Sequence, residues 1–200
     1  AASDVYKRQP PDNVRIYHWA SAQHVGNPLQ ERPTRGICQN PENVLQTSMI
    51  FRALLDALDN WVSKAITPPE NQIPTNYKGT LVDFKYWKSQ FPKIPNLVTP
   101  QAPNKLSIYD YGPKADLGIF DTLPPRKIQN CSYTIKVPSV DSDGNELAGI
   151  RVPMLSTPLA TYTGWNIRSR NFGEGAMHEF SGSTLISVSY THLRAHETCL

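Results

Sequence analysis

The sequence predicts an α/β fold in which one apolar strand and one long amphipathic helix come first and an irregular β-rich segment follows. Three observations carry this prediction. Val14 to Ala20 (VRIYHWA) is a run of β-branched and aromatic residues, as a strand apolar on both faces would be. Phe51, Leu54, Leu55, Leu58, Trp61 and Val62 recur at spacings of three and four, which puts them on one face of a helix. The chain also holds eighteen prolines and few long periodic segments, which favours short strands and ordered loops over a helical bundle. With 39% hydrophobic and 10% aromatic residues, it carries more apolar material than a disordered chain would.

Taken in order, the strand at Val14 to Ala20 fits an interior position in a parallel sheet. Ser21-Ala22-Gln23-His24 follows, and then a Gly- and Pro-containing loop from Val25 to Gln39, a candidate lid or rim. Asn40 is placed to cap a helix, with Pro41 at its first position and Glu42 in its first turn, where a carboxylate suits the dipole. That helix is expected to run to about Ala65, where Thr67-Pro68-Pro69 stops it, and to dock its apolar face on the sheet. Beyond it come short apolar pieces at 79–84, 105–109, 133–137 and 149–152, separated by Pro, Gly and Asn. Val137 to Arg151 is expected to form a hairpin with Asp143-Gly144 in the turn. Pro158 to Arg168 (PLATYTGWNIR) is dense in aromatic and threonine residues, with Tyr162 and Trp165 suited to a pocket wall or, more commonly, to a core.

The two ends have a different character. Back-translated, Ala1 to Gln9 (AASDVYKRQ) resembles a transposon adapter used to prepare sequencing libraries, and Val188 to Thr198 (VSYTHLRAHET) resembles the opposite adapter. Residues 1–9 and 187–200 are therefore expected to be adapter-derived. Residues 10–66 would hold the strand, the histidine loop and the helix, and residues 67–186 the β-rich segment. Without the ends the formal charge moves only from +3 to about +2, and the basic residues are scattered, so no phosphate-tracking surface and no nucleic-acid partner are expected. No run approaches the roughly eighteen apolar residues of a membrane span. Cys38 and Cys131 lie far apart in no ligand spacing, leaving both a disulfide and free thiols open.

Among residues that could do chemistry, His24 is the first candidate. It lies in the loop just past a strand and before a long helix, and in open α/β sheets ligands and reacting groups gather at such strand ends. In hydrolases ordered nucleophile, acid, histidine, the histidine occupies that slot, last in the chain. The alternative is an ordinary solvent-facing loop histidine. His18, inside the strand, suits a core or hydrogen-bonded role, and His178 sits in a late glycine-containing loop without a nameable partner. Asp141-Ser142-Asp143-Gly144-Asn145-Glu146 alternates carboxylates as a calcium loop does, but its glycine falls at the fourth place instead of the sixth. A solvated hairpin tip is expected there. G-x-S-x-G, a Gly-rich phosphate loop and H-E-x-x-H are all missing, so neither cofactor nor metal is expected.

Five stretches in order carry a likeness. Pro11 to His18 with Ala22-Gln23-His24, Phe51 to Val62, Phe91 to Pro95, Val140 to Arg151 and Pro158 to Asn166 together resemble a bacterial group, the alpha/beta hydrolase domain family. The resemblance implies that this is the C-terminal portion of an α/β-hydrolase fold, its last strand and final helix followed by the β-rich appendage. It further implies a serine nucleophile and a carboxylate encoded before residue 10, and His24 as the triad histidine. The expected function is then hydrolysis of an ester-like small molecule by the complete protein, the portion here being inactive alone. The competing reading is a non-catalytic binding or structural module on a hydrolase-like fold. A G-x-S-x-G upstream separates the two.

Overall fold

The computed structural model describes residues 10–25, 32–95, 97–158 and 160–186. Both stretches assigned to adapter, 1–9 and 187–200, lie outside the described residues, as does the middle of the expected lid loop.

The opening segment differs from the interior strand its composition predicts. Its pairing consists of two isolated parallel bridges, Tyr17 to Gln72 and Trp19 to Ile150. His18 takes part in both, donating its N–H to Gln72 O at 2.8 Å and accepting the Ile150 N–H at 2.7 Å. Neither partner can extend the ladder. Gln72 is followed by Pro74, while Ile150 lies between Gly149 and Pro153, and proline brings no N–H to a ladder. Gly149 sits at φ +101°, and a Cβ there would come within 2.5 Å of the His18 carbonyl oxygen. Only glycine admits this close backbone approach.

The long helix, α1 (Ser48–Lys64), starts eight residues after the predicted cap. Asn40 does not cap it, because the stretch 40–47 is tied sideways into the β-rich segment. The Asn43 N–H donates to Ser181 O at 2.9 Å, the Thr184 N–H to Pro41 O at 2.9 Å, and the Val44 N–H to Thr184 Oγ1 at 3.3 Å. With those groups engaged the helical i to i−4 pattern has nothing left to use, and tertiary bonding overrides local propensity. The C-terminus falls where the sequence places it. Ala65 adopts φ 55°, and the N–H groups of Ala65 and Ile66 return to Trp61 O and Asn60 O, a Schellman-type stop.

The helix docks through a narrow part of its stripe. Ile50 is buried and Leu54 packs against the core, while Phe51 meets Trp19 edge-on with centroids 6.3 Å apart. Contrary to expectation, Leu58 and Val62 are not buried against a sheet, and stand 50% and 81% exposed. The core itself gathers Ala20, Leu45, Ile50, Val152, Leu155 and Tyr162 beneath the opening segment.

The remainder is β-rich and irregular, as predicted, and among the described residues its sheets are all two-stranded and antiparallel. Strand β1 (Leu81–Asp83) leads directly into α2 (Phe84–Gln90), and β2 (Ser107–Asp110) pairs with β3 (Arg126–Ser132). Then β4 (Lys136–Pro138) returns to β1. After the short α3 (Pro153–Ser156) come β5 (Ala160–Thr163), buried along its whole length, and β6 (Asn166–Ile167). They pair with β8 (Ser183–Ile186) and β7 (Met177–His178) respectively. The predicted hairpin around Asp143-Gly144 is present, closed by a bridge between Val140 and Glu146.

Such short ladders leave many backbone groups unpaired, and three buried asparagines satisfy a share of them. Asn43 donates to Ser21 O at 2.7 Å and Thr163 O at 3.0 Å while accepting the Leu45 N–H. Asn145 accepts the Tyr162 N–H at 2.7 Å and donates to Ala160 O. Asn166 donates to Asn40 O and Gly182 O. An amide side chain offers two donors and an acceptor, so each one replaces a stretch of missing sheet.

Candidate functional site

The opening segment delivers three side chains in succession. His18 points to the hairpin, Ser21 turns inward, and His24 emerges on the surface. Ser21 sits at φ 54° in a turn between the two histidines, so the three side chains do not follow the alternation of a regular strand.

His18 meets Glu146, its Nε2 lying 2.6 Å from Glu146 Oε2. The same oxygen accepts the Ser21 N–H at 2.7 Å, and the Glu146 N–H donates to Ser21 Oγ at 2.8 Å. Burial works against charge on the imidazole, but the hydrogen bond it donates to Glu146 and the negative charge there outweigh it, and the His18 pKa is raised. Serine, histidine and glutamate thus come together within this chain, which sequence separation of more than a hundred residues had concealed. They do not form a nucleophilic triad. Ser21 is fully buried, and its hydroxyl bonds the Glu146 backbone, so neither substrate nor imidazole has access to it. The cluster holds the hairpin against the opening segment.

The hairpin tip accounts for the calcium-like pattern. Asp141 Oδ1 accepts the N–H groups of Asp143 and Asn145, and Oδ2 pairs with Arg151 at 2.8 Å. Both of its carboxylate oxygens are committed to the fold. Arg151 also donates to the carbonyls of Glu146 and Leu155. Cys38 is buried and Cys131 exposed, both as free thiols.

His24 is exposed, in the loop between the bridged segment and α1, where the sequence places it. Its N–H donates to Phe180 O at 3.0 Å, and its ring meets Phe180 edge-on with centroids 5.4 Å apart. Phe180 also meets His178, with the rings tilted at 50° and centroids 5.6 Å apart. Burial, then the charge of Arg168, lowers the His178 pKa against the pull of Glu42. The His24 side chain borders an open cleft of about 380 Å³, shared with Trp19, Gln46, Thr47, Phe51 and Arg52 at the start of α1. Among the described residues no carboxylate bonds its ring.

A family model described as alpha/beta hydrolase domain matches residues 2–193. The chain belongs to that family. The match covers nearly the whole sequence, including residues at both ends that resemble adapter. No curated protein and no solved structure matches. Membership fixes the family to which the opening segment, α1 and the β-rich segment of this alpha/beta hydrolase domain belong. Within it, no helix among the described residues is long and apolar enough to cross a membrane.

Proposed function

We propose that this alpha/beta hydrolase domain chain is the C-terminal part of a serine-type hydrolase acting on ester-like bonds of small molecules, with His24 as its general base. A serine encoded before residue 10 attacks the carbonyl carbon. His24 takes the hydroxyl proton and returns it to the leaving alcohol, and water then repeats the cycle on the acyl-enzyme. A carboxylate, also upstream, orients the imidazole.

The observation that carries this reading is the setting of His24. Of the histidines on the opening segment, it alone is exposed, and it opens onto a cleft of about 380 Å³ where another group can approach. His18, the only other candidate there, is already held by Glu146 at 2.6 Å. The uncovered face of α1 adds support, since Leu58 and Val62 offer an apolar surface for further parts of the fold. A general base needs its partners within about 3 Å, and in this reading both come from upstream, so the chain alone is expected to be inactive.

Sequencing the gene across and before residue 10 tests this. The reading expects G-x-S-x-G upstream, and codons other than those of residues 1–9 joining it to Pro10. A coding region without a nucleophile-bearing turn would leave the binding-module alternative in its place.

A further inference from the structure

Helix α2 carries Phe84 and Trp87 three residues apart on one face, and Phe91 follows directly at its C-terminal end. Their rings form a continuous wall. Phe84 and Trp87 stack with centroids 5.3 Å apart, and Trp87 meets Phe91 at 4.8 Å. Trp165, from the turn between β5 and β6, stands across this wall at 83° to Trp87 and 6.0 Å from it. Beside the rings lies a partly open cavity of about 410 Å³, lined also by Pro103, Leu106 and Val137. That size falls within the range of about 300–1,000 Å³ that small-molecule sites occupy. No lining residue is shared with the cleft at His24.

Two glycines shape the wall. A Cβ on Gly144 would lie 2.8 Å from Thr161 Cγ2 and 3.0 Å from Pro92 Cγ, and one on Gly164 would lie 3.0 Å from Ala22 O. A side chain at either position would collide with the residues packed behind the wall. The charged groups lining it are Lys136, Glu146 and Glu179, of which Lys136 is engaged by Asp83 at 3.4 Å and Glu146 by His18 at 2.6 Å. With two carboxylates to one ammonium, and that ammonium already paired, the lining does not suit an anion, while its largely apolar wall suits an uncharged ring.

We propose that this cavity is a binding site for the planar aromatic ring of a small uncharged molecule. Trp87 and Phe91 are themselves buried, so the aromatic surface left to a ligand is chiefly that of the half-buried Phe84 and Trp165, which a ring can meet by the face or edge contacts that aromatic pairs prefer. A saturated ring of the same size would fill the volume without those contacts. The binding stands independently of the catalytic reading, because it needs neither His24 nor an upstream nucleophile.

The experiment is titration of the chain with 2-naphthol, followed by NMR of its four tryptophan indole N–H signals. The expected result is saturable shifts of Trp87 and Trp165 with Trp19 and Trp61 unmoved, and affinity several-fold above that for 2-decalol, its saturated counterpart. In Trp165→Leu the two ligands should bind about equally. No saturation below about 1 mM, equal shifts at Trp19 and Trp61, or 2-decalol binding as tightly to the wild type would each overturn the proposal. Should Trp165→Leu fail to fold, the wild-type comparison of four indoles and two ligands still decides it.

Discussion

Glu146 links segments 125 residues apart, because one of its oxygens takes both the Ser21 N–H and the His18 imidazole. Its partner's titration gives that link a pH dependence. The folded His18 pKa is raised above the ordinary histidine value, with burial opposing the charge and the Glu146 bond and charge prevailing. A raised histidine pKa means stability that is fully present below the unfolded value and lost as pH rises through the folded one. Wild type should therefore lose stability relative to Glu146→Gln as pH is taken from about 6 to about 9, by about 1 kcal/mol, in urea unfolding at each pH. A difference between the two that stays constant with pH would contradict the charged pair. At this scale the sequence was partly legible. His18 was expected to be hydrogen-bonded, and it is, but nothing local names a partner 128 positions away. Glu146 was read as part of a solvated tip because its neighbours Asp141, Asp143 and Gly144 make a turn, which they do, while its own side chain turns inward.

Helix α1 shows where periodicity succeeds and where it stops. The stripe and the Ala65 terminus were legible because spacing and the following prolines are local signals. The start was not, because Asn40, Pro41 and Glu42 look like a cap, yet Asn40 and Pro41 bond to β6 and β8 across more than a hundred residues and Glu42 bonds to Thr34. Docking was only half legible for a related reason, since amphipathicity marks an apolar face without saying what covers it. Leu58 and Val62 remain exposed. Leu58→Lys and Val62→Lys should accordingly leave the thermal midpoint of this chain within about 2 °C while reducing self-association in sedimentation velocity. In the complete protein, where the proposed core covers this face, each should cost about 2 kcal/mol or more. Destabilisation of the chain itself would mean that the face is already packed.

Across the whole molecule, the irregular β-rich character was legible from proline and glycine punctuation, whereas the joining of its parts was not. Small antiparallel pairs are held together by Asn43, Asn145 and Asn166, and no pattern distinguishes a buried asparagine from one in a turn. The parallel sheet predicted from Val14 to Ala20 reduces to bridges at Tyr17 and Trp19. Its parallel sense is retained, and so is the order of segment, histidine loop and helix on which the hydrolase reading depends. That order leaves His24 at an open cleft and His18 locked to Glu146, which assigns them opposite fates on mutation. The most direct measurement is kcat/KM for 4-nitrophenyl acetate with the complete protein, its His24→Ala and its His18→Ala variants. His24→Ala should lose about three or more orders of magnitude while remaining folded, and His18→Ala should lower stability with activity largely kept below its melting point. Near wild-type turnover in His24→Ala, with activity abolished in a folded His18→Ala, would contradict the account.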